Sequence, residues 1–296
     1  MRKLNSISHY LYIFRNYVLK SGKPFLASFK LTYRCNLTCQ QCPFHVMTAP
    51  ELTIEEVKRM LDRLYERGNR MIVFEGGEPF LWSDGAYRLR DVVAYARKKF
   101  FSVGITTNGT LPLDVESDSL WVSLDGLKET HDRLREAPIF DMIMQNINSC
   151  QHPRLFVHIT VNSQNAAEIP DLIHFLKGKV RGITIQFYYP YNHQDELFLD
   201  FDRRETFISQ ILDMKKKGYP ILNSRASLKA LKHNTWKCRD DLLDCANPDG
   251  SITQGCYLRS REDIDCRKCG FSPHTELSLA CKGNLDAIRT GMKVFF

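Results

Sequence analysis

Three cysteines, Cys35, Cys39 and Cys42, stand at C-x3-C-x2-C spacing in the stretch from Lys30 to Pro43, directly after a strand-like run. Thiolates are the usual ligands of iron-sulfur clusters, and a cubane normally takes four. Three in one short loop grip three irons and leave the fourth open to a substrate or cofactor. C-x2-C is also a zinc spacing, and His45 would then complete a tetrahedron. Three inert thiols are the bland alternative. The chain has ten cysteines, and its N-terminal apolar run Leu11 to Phe14 is cut short by Arg15 and Asn16, so no cleavable signal is read and a reducing, cytoplasmic setting is expected. There, clustered cysteines are metal ligands sooner than disulfides.

Residues 4–20 put Ile7, Tyr10, Leu11, Phe14, Tyr17 and Val18 at helical spacing beside basic residues. This describes an amphipathic helix that packs on the protein or touches a membrane peripherally. From Pro24 onward, β-rich runs alternate with helical periods. Strands are expected at Phe25 to Leu31, Met71 to Glu75, Ser102 to Thr107, Leu120 to Leu124, Leu155 to Val161 and Gly182 to Tyr188. Helices are expected at Thr53 to Arg67, Tyr87 to Lys99, Met142 to Cys150, Ile169 to Lys177 and Arg203 to Lys216, the first opened by a Thr53/Glu56 capping box. Six such units make an α/β fold of parallel strands with right-handed crossovers, which binds ligands at the C-terminal strand ends.

The suggestive residues fall at those ends. The second strand runs into Gly76-Gly77-Glu78-Pro79, the third into Thr107-Asn108-Gly109, and the fourth into Ser123-Leu124-Asp125-Gly126, followed by His131-Asp132-Arg133-Leu134-Arg135. With the cysteine loop, these residues resemble the radical S-adenosylmethionine (SAM) enzymes. The resemblance implies a partial (β/α)6 TIM-type barrel, a 4Fe-4S cluster on Cys35, Cys39 and Cys42, and SAM on its open iron. It assigns the SAM amino group to Gly76, Gly77, Glu78 and Pro79, and gives Asn108, Ser123, Asp125 and Arg135 as further cofactor contacts. Asp125 serves equally as a turn cap, and the His131 segment is mostly scaffold. Two positions depart from the family pattern: Gln41 stands where an aromatic usually precedes the third cysteine, and Glu136 where glycine usually follows the arginine. His158 and Asn162 line a polar strand face, and the aromatic run from Phe187 to Tyr191 lies at the barrel mouth, where it suits an apolar substrate or serves as core.

Six cysteines lie beyond residue 217, at 238, 245, 256, 266, 269 and 281. Cys245 and Cys256 bracket a turn-rich hairpin, and Cys266 and Cys269 form a C-x2-C pair. They resemble the SPASM and twitch extensions, which implies a second iron-sulfur cluster on Cys245, Cys256, Cys266 and Cys269, with Cys238 and Cys281 in reserve; zinc suits four cysteines as well. The general layout is also similar to hopanoid-pathway radical SAM enzymes. The expected organisation is an N-terminal helix (1–23), a barrel (24–216) and a small cysteine-rich C-terminal domain (217–296).

The function implied is reductive cleavage of SAM to a 5′-deoxyadenosyl radical that modifies a peptide or an isoprenoid-like lipid, with flavodoxin or ferredoxin as reductant. The rival is a non-catalytic zinc or iron-sulfur protein that senses redox state. A net charge of +7 is modest for 296 residues, no basic repeat points to nucleic acid, and no apolar window is long enough to span a membrane.

Overall fold

The computed structural model describes Tyr12 and residues 22–191, 195–256, 258 and 264–296. The expected helix over 4–20, with its membrane contact, lies outside the described residues apart from Tyr12, whose ring stacks on Phe25 and under the Arg70 guanidinium. Asn192 and His193 are outside them too.

Six parallel strands are joined by helices: β1 (Leu26–Thr32), α1 (Ile54–Arg67), β2 (Met71–Gly76), α2 (Leu89–Ala96), β3 (Ser102–Thr107), β4 (Ser119–Ser123), α3 (Lys128–Arg135), α4 (Phe140–Ser149), β5 (Leu155–Val161), α5 (Ile169–Leu176) and β6 (Gly182–Phe187). Then follow α6 (Phe201–Lys216), α7 (Arg225–Leu231), β7 (Leu243–Ala246), β8 (Ile252–Gln254), α8 (Ser272–Cys281) and α9 (Leu285–Phe295). The sheet order is β8-β7-β1-β2-β3-β4-β5-β6, parallel throughout except for the antiparallel β7-β8 pair. This is the expected partial TIM-type barrel. Its strands alternate as period-two patterning requires: Ala27, Phe29 and Leu31 face the helices, while Ser28 and its same-face neighbour Lys30 turn away from them.

The sequence-expected boundaries hold to within a few residues, and the exceptions have local causes. Thr53 caps α1 as a capping box, its backbone amide donating to Glu56 Oε2 at 2.8 Å. α1 buries Ile54, Val57, Met60, Leu61 and Leu64, each worth about 1.5–3 kcal/mol of apolar transfer. The helix expected from Tyr87 begins only at Leu89, because Tyr87–Arg88 pairs with Ser83–Asp84 in a two-residue hairpin. At the end of α3, Glu136 is left-handed (φ 56°, ψ 30°), which explains the usual glycine there.

Residues after 240 complete the barrel. β7 adds in parallel to β1 with Cys245 opposite Ser28, and it is pinned by Asp244, which accepts from Arg67 Nε and Nη2 at 2.8 Å and from Asn69 Nδ2 at 2.7 Å. On the far edge, Phe187 donates its amide to Gly270 at 3.0 Å. α9 then plugs the floor, where Val294 and Phe295 pack on Trp121 and Phe156, and Ser119 Oγ donates to the Val294 carbonyl at 2.6 Å. Among the described residues, no helix is long and apolar enough to cross a membrane.

Candidate active site

The cysteine loop leaves β1 and folds against the turn after β2. Gly77 donates its amide to Thr32 and Glu78 to Arg34, both at 2.8 Å. The two glycines are required by this approach: a methyl carbon at Gly77 would lie 2.1 Å from the Arg34 carbonyl oxygen, and one at Gly76 (φ 128°) 2.4 Å from that of Thr32. Thr32 Oγ1 accepts from the Arg34 amide at 2.9 Å and donates to Glu51 at 2.6 Å, which fixes the start of the loop.

Cys35, Cys39 and Cys42 are free and share the wall of one chamber of about 1100 Å³ with Gly76, Gly77, Asn108, Ser123 and Arg135. Burial pushes the Cys35 thiol up and that of Cys42 up to about 11, and each also feels the charge of Cys39. Donors face the sulfurs: Arg135 Nη1 lies 3.7 Å from Cys39 Sγ, and Asn108 Nδ2 lies 3.8 Å from Cys35 Sγ. Among the described residues, the trio of His, Cys, Asp or Glu donors lying within 4.8 Å of one another is Cys238, Asp240 and His274, so the loop sulfurs are spread more widely. A tetrahedral zinc would draw its sulfurs to about 3.8 Å apart. Nor is His45 gathered with two of these sulfurs within 4.8 Å; its Nδ1 meets the Cys42 carbonyl at 2.8 Å. The donor set therefore fits separate metals of a cluster better than one ion.

The Gly-Gly-Glu-Pro stretch divides. Gly76 and Gly77 reach the chamber wall, whereas buried Glu78 turns to the β3 end and accepts from the Asn108 amide (2.7 Å), Thr107 Oγ1 (2.8 Å) and the Phe80 amide (3.1 Å). Burial outweighs these bonds and pushes its carboxyl up to about 7. Pro79 is buried at the first position of a short 3-10 turn. Asn108 joins the two loops by donating to Asn36 Oδ1 at 2.8 Å while accepting from the Thr110 amide at 3.0 Å.

Asp125 is fully engaged. It accepts from Gln41 Nε2 (2.7 Å), Arg135 Nη2 (2.5 Å) and the Thr160 amide (2.8 Å). Burial pulls the Arg135 guanidinium down, but the charges of Asp125 and Cys39 prevail and hold it above its ordinary range; among the described residues its Nε has no partner. Gln41, which stands out in the sequence only as a departure from the family pattern, bridges the network, its Oε1 accepting from Asn162 Nδ2 at 2.8 Å. A polar residue in an aromatic's place is the available signal. His131 is scaffold: burial pushes it down to about 4, and its Nδ1 accepts from the Asp125 amide at 3.1 Å. Ser123 and His158, paired across β4 and β5, both line the chamber.

The C-terminal cysteines are less gathered. The expected hairpin is present as β7-β8, with Cys245 Sγ directed at the Gly255 carbonyl (3.4 Å). Cys256 and Cys269 pack with Tyr189 and Phe271, and burial pushes them up to about 12 and about 11, each reinforced by neighbouring thiols. Cys266 is exposed at the rim beside Cys269. Cys238 sits close enough to Cys256 and Cys269 to feel their charge; its thiol meets Asp240 Oδ1 at 3.2 Å and His274 Nδ1 at 3.5 Å. Cys281 instead packs in the apolar cluster of Phe25 and Leu277.

The Radical SAM superfamily model matches residues 29–176, half of the chain. Fe-coproporphyrin III synthase of Methanosarcina barkeri is 34% identical over 172 residues, covering 53% of this chain and 42% of that protein. The antilisterial bacteriocin subtilosin biosynthesis protein AlbA of Bacillus subtilis is 28% identical over 210 residues, covering 65% and 44%. The chain thus spans about half the length of the curated relatives it matches. In fold, it is similar to Streptococcus suis SuiB bound to S-adenosylmethionine, with a TM-score of 0.68 at 13% identity over 97% of this chain and 72% of that one. The family match, the partial barrel and the cysteine loop at its mouth agree: the chain belongs to the radical SAM superfamily and is an enzyme of that class.

Proposed function

We propose that this chain modifies a peptide, with Cys35, Cys39 and Cys42 as cluster ligands and the chamber beneath them as the reaction space. The observation that carries the reading is the convergence of these thiols, Gly76, Gly77, Asn108, Ser123 and Arg135 on one chamber. Membership of the family implies a 4Fe-4S cluster and SAM. When bound, they supply a one-electron reductive cleavage of the sulfonium whose carbon radical takes hydrogen from the substrate.

The chain's own contribution is orientation and exclusion of water. Backbone at Gly76 and Gly77 would hold SAM's amino group, and Asn108 and Ser123 would hold the rest of the cofactor. Arg135, whose guanidinium reaches Cys39, would also hold the SAM carboxylate. Glu78, Pro79 and Asp125 brace these groups. Trp121, Val294 and Phe295 give the chamber an apolar floor that would help to exclude water from the reaction. A flavodoxin- or ferredoxin-type protein is the expected electron donor. For the C-terminal cysteines we propose a second metal centre, iron-sulfur or zinc, built on Cys256 and Cys269, with its remaining ligands drawn from Cys238, Cys245 and Cys266.

The peptide class draws support from AlbA, named for bacteriocin biosynthesis, and from a SuiB structure with precursor peptide SuiA, to which this chain is similar at TM-score 0.66. The apolar floor favours an isoprenoid-like lipid as the second reading. Anaerobic reconstitution, iron and sulfide counting, and a 5′-deoxyadenosine assay with reductant and SAM test the core of the reading. The nucleoside should form and should vanish when Cys35, Cys39 and Cys42 are replaced by Ala. An intact cluster that yields none sinks the enzymatic assignment of this site. Precursor peptides and isoprenoids offered to the same preparation decide between the substrate classes.

A further inference from the structure

Each group of cysteines has a buried arginine beside it, and the two arginines are neutralised differently. Arg135, next to Cys39, is paired with the Asp125 carboxylate. Arg204, near the start of α6, is fully buried, and among the described residues no carboxylate makes an ion pair with it. Asp200, whose charge reaches it, caps α6 through the Arg203 amide at 2.9 Å instead. Arg204 Nη1 donates to the Cys269 carbonyl at 3.2 Å and to Asn234 Oδ1 at 3.4 Å, while Nε and Nη2 are buried without a partner.

The rings of Phe187, Phe201 and Phe198 lie 4.4, 5.0 and 5.4 Å from the guanidinium carbon. Aromatic faces attract a cation, but they carry no net charge. A guanidinium keeps its proton in a protein, so a full positive charge is held here out of water, which is costly unless an anion stands near. The structure offers one source. The turn from Cys266 to Cys269 is gripped at three carbonyls: Asn234 Nδ2 donates to that of Arg267 at 2.6 Å, Arg204 to that of Cys269, and the Phe187 amide to that of Gly270 at 3.0 Å. The Cys269 thiol is thereby set close enough to Arg204 to feel its charge, with Cys238, Cys256 and Cys266 also within electrostatic reach of Cys269. Thiolates gathered on one metal centre keep a net negative charge, whether they hold zinc or an iron-sulfur cubane.

We propose that Arg204 is the positioning residue and counter-charge of the C-terminal metal centre, its guanidinium fixing the Cys269 backbone and offsetting the negative charge of the metal-bound thiolates. This rests on the second centre proposed above and adds to it a residue that is not a ligand. It gives the buried, unpaired cation of α6 the partner that Asp125 gives to Arg135.

Chelation of the reconstituted full chain tests it. The metal of the C-terminal centre is the zinc or iron that the unmodified chain holds and a chain with both Cys266→Ala and Cys269→Ala lacks. Arg204→Met, which keeps an apolar stem and removes the charge, should release that metal at an EDTA concentration at least about tenfold lower, the worth of a charge-assisted hydrogen bond, and leave the iron on Cys35, Cys39 and Cys42 in place. Arg204→Lys keeps the charge without the planar fork, so it should hold the metal to within about threefold of the unmodified chain. Should Arg204→Met fail to fold, Arg204→Lys decides the question, and a loss of about tenfold there overturns the proposal. Retention by Arg204→Met to within about threefold overturns it too, and so does an Arg204→Lys chain as weak as Arg204→Met, which would leave a role for shape alone. A chain that holds the same metal with and without Cys266 and Cys269 sinks the second centre and this inference with it, whereas a centre that is present and indifferent to Arg204→Met sinks the inference alone.

Discussion

The chain holds two groups of cysteines, and they are built in opposite ways. Cys35, Cys39 and Cys42 share one short loop tied by backbone bonds to the β2 turn and to Leu134, and by side chains to Asn108 and Arg135. Cys238, Cys245, Cys256, Cys266 and Cys269 come from separate turns and strands, held by packing on Tyr189 and Phe271 and by the hairpin after β7. The first group is pre-organised by local sequence. The second is brought together by tertiary contacts, so it responds more to the loss of any one neighbour.

That contrast sets the largest expected effect. Replacing Cys35, Cys39 and Cys42 by Ala should remove both the first cluster's iron and all 5′-deoxyadenosine formation. Replacing Cys266 and Cys269 should leave uncoupled SAM cleavage and remove only the metal of the proposed C-terminal centre. Iron, zinc and nucleoside measured on the same preparations check this, and total loss in both variants would mean that the groups form one functional unit.

The Asp125–Arg135 ion pair tests the pre-organisation of the first group. Arg135→Met would strand a buried carboxylate, which costs about 3–5 kcal/mol. Adding Asp125→Asn should recover much of it. Urea unfolding of the apo chain reads both. A single variant within about 1 kcal/mol of the unmodified chain would show that the tie between Asp125 and the cysteine loop carries little.

Much of the first region is legible in the sequence because its signals are local: cysteine spacing, glycines at a strand end and alternating strand faces all survive without a fold. What Glu78 does is not legible there. Its inward turn toward Thr107 and Asn108 depends on how β2 and β3 pair, so a motif that reads as one unit divides into wall and brace. Gln41 is visible only as an oddity, since Asp125 and Asn162, its partners, lie 84 and 121 residues away. In the second region, the hairpin is readable from Asn247-Pro-Asp-Gly250, but Asp240 and His274 beside Cys238 are not. Short strands that join a sheet begun 200 residues earlier leave no periodicity to follow.

Each region also buries one carboxyl that is pushed up to about 7, Glu78 in the first and Glu276 on α8 in the second. Glu276 accepts from the Ser224 amide at 2.7 Å. Because its folded pKa lies above the unfolded value of 4.5, the folded chain binds more protons between pH 4.5 and about 7, and stability falls as pH rises through that window. Glu276→Gln, which copies the neutral form, should flatten the decline by up to about 3 kcal/mol. Apo-protein unfolding from pH 5 to 8 checks it, and an unchanged slope would place the titration elsewhere.

The smallest expected effect concerns how many ties the cysteine loop needs. Glu136 occupies a left-handed backbone position, for which a side chain costs about 1–2 kcal/mol. Its carboxylate accepts from Thr38 Oγ1 at 2.9 Å, inside the cysteine loop. Glu136→Gly removes the strain, gives back part of the gain through a more flexible unfolded chain, and loses one exposed hydrogen bond. A net rise of about 0.5–1 kcal/mol is expected, seen as a small increase in Tm. A fall instead would mean that the Thr38 contact outweighs the backbone strain. The loop would then depend on its side-chain ties as heavily as the C-terminal group does, and the contrast between the two regions would narrow to one of spacing alone.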